Sequence, residues 1–355
     1  MARNNINRGP VKFRRSNPGN ATTQVETLAR QMADQIIRER EAAKARQRLG
    51  RIFTSFDPVD DILPNNVETV TRGLFAGNTG SLTSLFTSSN LTATQKTYFQ
   101  DIFSTNDPAL SANANAELSI AYGNYVGSGS IDLTGNLNND TPTRAIYKQY
   151  AQLLLSPNDK KFTFNGNDSE NIYILNFNRA RYREKIDPGN FELTLAQLSG
   201  SMADSLVLNH QHTGSNVKVA GNGKYVQIID DSSLTSGGSI AEGGLVYNLV
   251  SGSIDAGTVI YNETDPTHFG LLYPQHGIAI LNGDQLDKTL ANGGVNFDTV
   301  SGSAVQGVNA AKLFASLSGS NELTPAGVNG GIQARSSEQV KSTYYFVRIK
   351  NAEYN

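Results

Sequence analysis

From Lys161 onward the apolar residues of this chain recur at every second position, in short runs separated by Gly, Asn, Ser and Asp. A period of two places alternate side chains on opposite faces of a strand, so this half of the chain must fold as sheet. Runs at Lys161–Phe164, Asn171–Asn178 and Phe191–Leu195 read as strands, and Asp187-Pro188-Gly189-Asn190 reads as a turn before the third. Further strands are expected at Ser205–His210, Tyr225–Asp230, Gly244–Val250, Thr258–Tyr261, Phe269–Leu272 and Gly277–Leu281. A β-branched and aromatic run, Ser342–Lys350, follows near the end. Ser-Gly-Ser triplets begin at residues 128, 199, 251, 301 and 318. Their spacing is irregular, so they read as turn punctuation and not as a solenoid repeat.

The N-terminal part follows other rules. Residues 1–21 are polar and basic, and alone form an extended basic arm without a core. Thr23-Gln24-Val25-Glu26 has the pattern of a capping box and predicts a long amphipathic helix over 22–50, stopped at Gly50. Val25, Leu28, Met32 and Ile36 form one narrow apolar stripe along it. Such a helix spans roughly 40 Å and buries little by itself, so its stripe points to packing on a neighbour. Residues 52–90 read as short elements and loops around Pro58 and Pro64. Asp107-Pro108 then predicts a helix running through Leu118 and Ala121 to about Tyr125. A third helix is expected over Thr143–Leu155. Residues 291–338, rich in Gly, Asn and Ser, read as a long loop or insertion with a short helical patch near Ala310–Leu317. The expected class is α+β, mainly β. A basic arm (1–21) and a long helix (22–50) precede a mixed, partly helical region (51–160) and an antiparallel β-rich body (161–355).

Charge is divided along the chain. Residues 1–51 hold twelve Lys and Arg against four Asp and Glu, a balance of +8. The whole chain is at −2, so the remainder is at −10. A basic arm ahead of an acidic body is suited to docking on an acidic partner or on nucleic acid, and equally has the pattern of a solvated basic tail. The arm's candidate contacts are Arg3, Arg8, Lys12, Arg14 and Arg15. In the body, Arg179, Arg181 and Arg183 interleave with Tyr182. Glu184 and Asp187 follow at once, and the acidic body repels a phosphate backbone, so these arginines suit protein contacts better than nucleic acid.

No catalytic or metal constellation stands out. Cys is absent, which removes thiolate chemistry and disulfides. His210 and His212 share one strand face but have no near ligands in sequence. Gly221-Asn222-Gly223-Lys224 lacks the Ser or Thr of a phosphate loop and reads as a hairpin turn. The adjacent pairs Asp60-Asp61 and Asp230-Asp231 would point apart on a strand and read as solvated turns. No catalytic, cofactor-binding or metal residue is assigned, no cofactor is expected, and no apolar run is long enough for a membrane span.

Three stretches carry a resemblance. The first is Ile172-Tyr173-Ile174-Leu175-Asn176-Phe177-Asn178-Arg179-Ala180-Arg181-Tyr182-Arg183-Glu184-Lys185-Ile186-Asp187-Pro188-Gly189-Asn190. The second is Phe269-Gly270-Leu271-Leu272-Tyr273-Pro274-Gln275-His276-Gly277-Ile278-Ala279-Ile280-Leu281. The third is Ser342-Thr343-Tyr344-Tyr345-Phe346-Val347-Arg348-Ile349-Lys350-Asn351-Ala352-Glu353-Tyr354-Asn355. Together the chain resembles virion structural proteins of T4-like myoviruses of the cyanophage type, over roughly residues 107–355. The resemblance implies a non-enzymatic subunit of a contractile tail, placed in the baseplate, assembled in the host cytoplasm and resident in the virion. It implies other tail proteins as partners and multiple copies in a symmetric assembly. The alternatives are a neck, capsid or fibre-attachment protein, or a receptor- or glycan-binding tail module. The family has no catalytic residues to carry over.

Overall fold

The computed structural model describes residues 18–48, 62–87, 99–105, 115–130, 141–198, 225–234, 238–255, 257–261, 266–301, 307–323 and 330–346. Four α-helices are described: α1 (Pro18–Arg48), α2 (Pro142–Leu154), the single turn α3 (Gly283–Leu286) and α4 (Val308–Leu323). The early strands are β1 (Ile62–Gly73), β2 (Ser81–Leu82), β3 (Phe86–Thr87), β4 (Phe99–Phe103) and β5 (Leu118–Asn124). After α2 come β6 (Phe162–Phe164), β7 (Asn167–Ser169), β8 (Asn171–Phe177), β9 (Lys185–Ile186) and β10 (Glu192–Ala196). Then follow β11 (Tyr225–Asp230), β12 (Ser239–Ala241), β13 (Gly244–Asp255), β14 (Thr258–Tyr261), β15 (His268–Tyr273) and β16 (Ile278–Asn282). The last two are β17 (Ile332–Gln333) and β18 (Arg335–Tyr345). The chain divides into two compact units: Met1–Asn66 with Lys341–Asn355, which contains α1, and Val67–Val340, which contains the main sheet.

The main sheet runs β2-β17-β10-β11-β13-β15-β16-β8-β5-β4-β3, with β12 and β14 added to β13. The registered pairs along this path are antiparallel. Its two end strands, β2 and β3, are neighbours in sequence, with only residues 83–85 between them. A link of that length spans at most roughly 14 Å. The sheet therefore curls until its edges approach one another.

The interior of the curl is filled by α4. Residues 309–320 are all buried. The helix packs on β10 and also on β5 and β4, which lie far apart along the sheet order. Leu313, Phe314, Ala315 and Leu317 join Leu118, Ile120, Leu193, Leu195, Phe269 and Leu281 in one core. The helix is also rich in serine, and each buried hydroxyl finds a partner. Ser316 Oγ donates to the carbonyl of Ala196 at 2.7 Å, Ser318 Oγ to Phe314 and Ser320 Oγ to Leu317. Lys312 Nζ donates to the carbonyl of Asp298. Outside the curl, α2 lays Ile146, Tyr147, Tyr150 and Leu154 over Ile172, Ile174, Ile278 and Ile280.

Most expected strands form where the period of two placed them, and β11 and β14 match the expected bounds. The mainly β class is what the structure shows. Residues 205–210, with His210 and His212, and residues 221–224 and 60–61 lie outside the described residues.

Three expectations are corrected. Leu118–Asn124 is strand β5, not the end of a helix. Leu118, Ile120 and Tyr122 face α4 while Ala121 faces α2, so burial on both faces blurs the period. Ile62–Gly73 is a twelve-residue strand and not a set of loops. Among the described residues β1 is the end strand of its sheet, a position where Pro64 is compatible with a strand. Within 291–338, the described residues include a buried helix and the core strand β17, so they are not a surface insertion. Two Ser-Gly-Ser triplets also lie inside elements, one in β13 and one in α4. At Gly252 a Cβ would come within 2.7 Å of both Ile229 Cδ1 and the Ile260 carbonyl, so close packing selects the glycine.

Leu317 tests the placement of α4. Leu317→Ala is expected to lower the unfolding free energy by about 3 kcal/mol in urea denaturation. A residue on a surface loop would change it by less than about 0.5 kcal/mol.

Candidate functional site

Helix α1 carries the apolar stripe read from the sequence. It is built from Ala, Gln, Glu and Arg, which favour helix without tertiary support. It starts at Pro18, so Thr23 lies within it and is not the N-cap. Proline at the first helical turn is the start signal here. All side chains from Glu26 to Ala42 are exposed. Leu28, Met32 and Ile36 are 57%, 58% and 52% exposed and lie four residues apart, hence in one line. Ile37 widens the stripe. The side chain of Val25, and Arg3, Arg8, Lys12, Arg14 and Arg15, lie outside the described residues.

The three body arginines are held on the turn between β8 and β9, each with a partner inside the chain. Arg181 meets the fully buried Glu117, with Nε 2.7 Å from Oε2 and NH2 3.0 Å from Oε1. Glu117 also accepts from Ser104 Oγ at 3.0 Å and from the Ala76 amide. Arg72 NH2 donates to the Arg181 carbonyl. Arg179 stacks over the Tyr182 ring at 4.6 Å. Arg183 NH1 is 3.6 Å from Glu338 Oε2 and stays largely exposed. The cluster expected to contact partners thus first fixes its own turn. Arg179 and Arg183 remain at the surface, while Arg181 is taken up inside.

The same turn lines a cleft of about 560 Å³. Gln149 and Leu153 of α2 form one wall; Asn176, Arg179, Gln275 and His276 form the other. The first two resembling stretches meet here. Asn176 pairs with Ile278, and Phe177 N donates to the Gly277 carbonyl at 2.8 Å. Tyr182 Oη donates to the His276 carbonyl at 2.6 Å. A Cβ on Gly277, whose φ is +64°, would come within 2.4 Å of the Tyr182 ring. Cationic and amide groups beside apolar side chains such as Leu118, Leu153, Phe177 and Ile278 can bind polar or anionic groups. Nothing in this lining is an acid–base pair.

Buried carboxylates brace the body. Asp230 accepts from Gly189 N at 2.8 Å, Phe191 N and Ser232 N, and so pins the Asp187–Asn190 turn to β11. Burial pushes its carboxyl up from the ordinary value. Asp231 is 3% exposed and binds Asn248 through both backbone and side chain. This corrects the solvated-turn reading of Asp230-Asp231. Glu192 accepts from Gln227 Nε2 at 2.7 Å, and burial raises its pKa from 4.5 to about 6.

Sequence reasoning missed a second exposed apolar surface. Within Val67–Val340, Val67 and Val70 on β1 and Val340 on β18 are exposed. The β-branched run Val67 to Thr71 was the available signal. No family model, no curated protein and no solved structure matches this chain.

Breaking the Glu117–Arg181 pair leaves a largely buried guanidinium without its carboxylate. Glu117→Ala is expected to cost about 3 kcal/mol in chemical denaturation. For Glu192 the raised folded pKa means that the fold prefers the protonated acid. Its contribution is fully present below about pH 4.5 and is lost as the pH rises through about 6, an effect of about 2 kcal/mol. Glu192→Gln should therefore flatten the fall in thermal midpoint between about pH 5 and 7.

Proposed function

We propose that this chain is a non-enzymatic structural subunit of a contractile-tailed phage virion, and within it a baseplate component. It holds neighbouring subunits through its N-terminal arm and helix and through its β-body. The observation that supports this most is α1: a 31-residue helix whose side chains from Glu26 to Ala42 are all exposed, with Leu28, Met32, Ile36 and Ile37 in a continuous stripe. An exposed apolar stripe on so long a helix is stabilised by packing against another helix or a groove. Partners of that kind are supplied by an assembly of interlocked subunits. The resemblance of residues 172–190, 269–281 and 342–355 to virion structural proteins of T4-like myoviruses supplies the setting.

A receptor- or glycan-binding tail module is the second reading, favoured by the amide- and arginine-lined cleft at Arg179 and His276. Saturable binding of the full chain to a glycan array, lost in Arg179→Ala, would favour it.

The leading reading is tested in assembling particles. The variant Leu28→Glu/Met32→Glu/Ile36→Glu is expected to be excluded from tails, with less than about 0.5 kcal/mol change in body stability per exposed position. Normal incorporation of this variant would reject α1 as the docking element. Localisation of the chain outside the baseplate in an intact particle would reject the placement.

A further inference from the structure

The cleft beside α2 has a charge pattern that the docking of α1 does not use. Residues 52–355 are at −10 overall, yet among the described residues lining the cleft there is no Asp or Glu. Asp101 accepts from Ser119 Oγ and Glu117 is paired with Arg181, and neither carboxylate lines the cleft. Arg179 differs from the other two arginines of its turn. Arg181 has Glu117 and Arg183 has Glu338, whereas among the described residues no carboxylate pairs with Arg179. Its NH1 donates to the Tyr182 carbonyl, and its guanidinium lies over the Tyr182 ring. Tyr182 is itself buried and fixed by its bond to the His276 carbonyl. The guanidinium is thus held in place, with most of its five N–H donors left for a ligand. A planar fork of this kind matches a carboxylate through two parallel hydrogen bonds.

Around Arg179 stand groups that read hydroxyls. The side chains of Gln149 and His276 make no hydrogen bond among the described residues, and Gln275 uses only its Oε1, 3.5 Å from Leu245 N. Carboxamides and imidazole both donate and accept, as sugar hydroxyls do. Leu153, 48% exposed, adds an apolar surface for the C–H face of a ring. The volume of about 560 Å³ falls within the roughly 300–1,000 Å³ of small-ligand clefts. An extended peptide fits less well. The strands that contribute to the cleft are β5, β8 and β16, and each is bonded to a strand on both sides, so none offers a free backbone edge. A helical peptide needs an apolar groove, and these walls carry arginine, histidine and amides.

We propose that this cleft binds an acidic saccharide, with the sugar carboxylate on Arg179 and the ring hydroxyls on Gln149, Gln275 and His276. The proposal rests on the reading of the chain as a glycan-binding module and adds to it the charge of the ligand and the residue that reads that charge.

Ligand-observed NMR titration of the full chain with glucuronate and galacturonate, each against its methyl ester, tests this. The ester keeps the ring and its hydroxyls and removes only the charge. At least one acid is expected to bind saturably, with its ester weaker by about tenfold or more. Arg179→Ala should abolish the preference for the acid. Arg183→Ala, on the same turn but outside the cleft lining, should leave binding unchanged. Thermal melts confirm that each variant is folded. Acid and ester that bind alike, a preference that survives Arg179→Ala, or equal losses in the two arginine variants would overturn the proposal and leave a glycan-binding module standing. So would binding confined to neutral sugars on a glycan array. A tripeptide with a central aspartate that competes as well as the acid would make the ligand an acidic peptide and reject the saccharide. No binding by the acids, the esters or any glycan on the array would reject the proposal and the glycan-module reading together.

Discussion

The body of this protein depends on the curling of one sheet. The strands at its two ends, β2 and β3, are separated by three residues of chain. That short link holds the two edges near one another whatever the intervening strands do. A sheet curled in this way encloses a volume that its own side chains do not fill, and the filling element is α4. A helix in that position has no solvent face. This explains its composition: Ala310, Ala311, Leu313, Phe314, Ala315 and Leu317 for the core, and small serines whose hydroxyls reach nearby carbonyls. The outer face of β5, β8, β15 and β16 is then covered by α2, which leaves these strands buried on both sides.

Buried carboxylates fix the loops to this frame. Glu117 ties the β8–β9 turn to the region around Ala76 and Ser104. Asp230 holds the following turn through the backbone amides of Gly189 and Phe191. Each carboxylate loses water on burial and recovers part of the loss through several donors. Glu192 has two side-chain amide partners and the raised pKa that burial imposes. Anchored in this way, the arginine turn becomes a rigid wall of the cleft below α2.

Rigidity and reach are divided between different parts of the chain. The interior of Val67–Val340 is tightly packed, whereas the side chains of α1 from Glu26 to Ala42 are exposed. The apolar residues on α1 and on the β1 edge add nothing to an isolated fold while exposed to water. Burying them on a partner would recover a favourable transfer term.

Much of this was legible in the residues. The period of two beyond Lys161 located most of the strands because alternation survives wherever one face is buried and the next is less so. The stripe on α1 was legible because a long exposed helix keeps its spacing in plain view. Other features depended on contacts distant in sequence. Leu118–Asn124 looked helical until β4 and β8 paired with it, since a strand buried on both faces loses its alternation. The Ser- and Gly-rich segment around α4 looked like a loop, because local composition does not reveal that a sheet closes around it. Arg181 looked like a free contact residue, and only the fold brings Glu117, 64 residues away, against it. The sequence alone determined the elements whose periodicity is local. The tertiary structure decided what each of them faces, because burial and ion pairing are set by neighbours that the chain brings together only on folding.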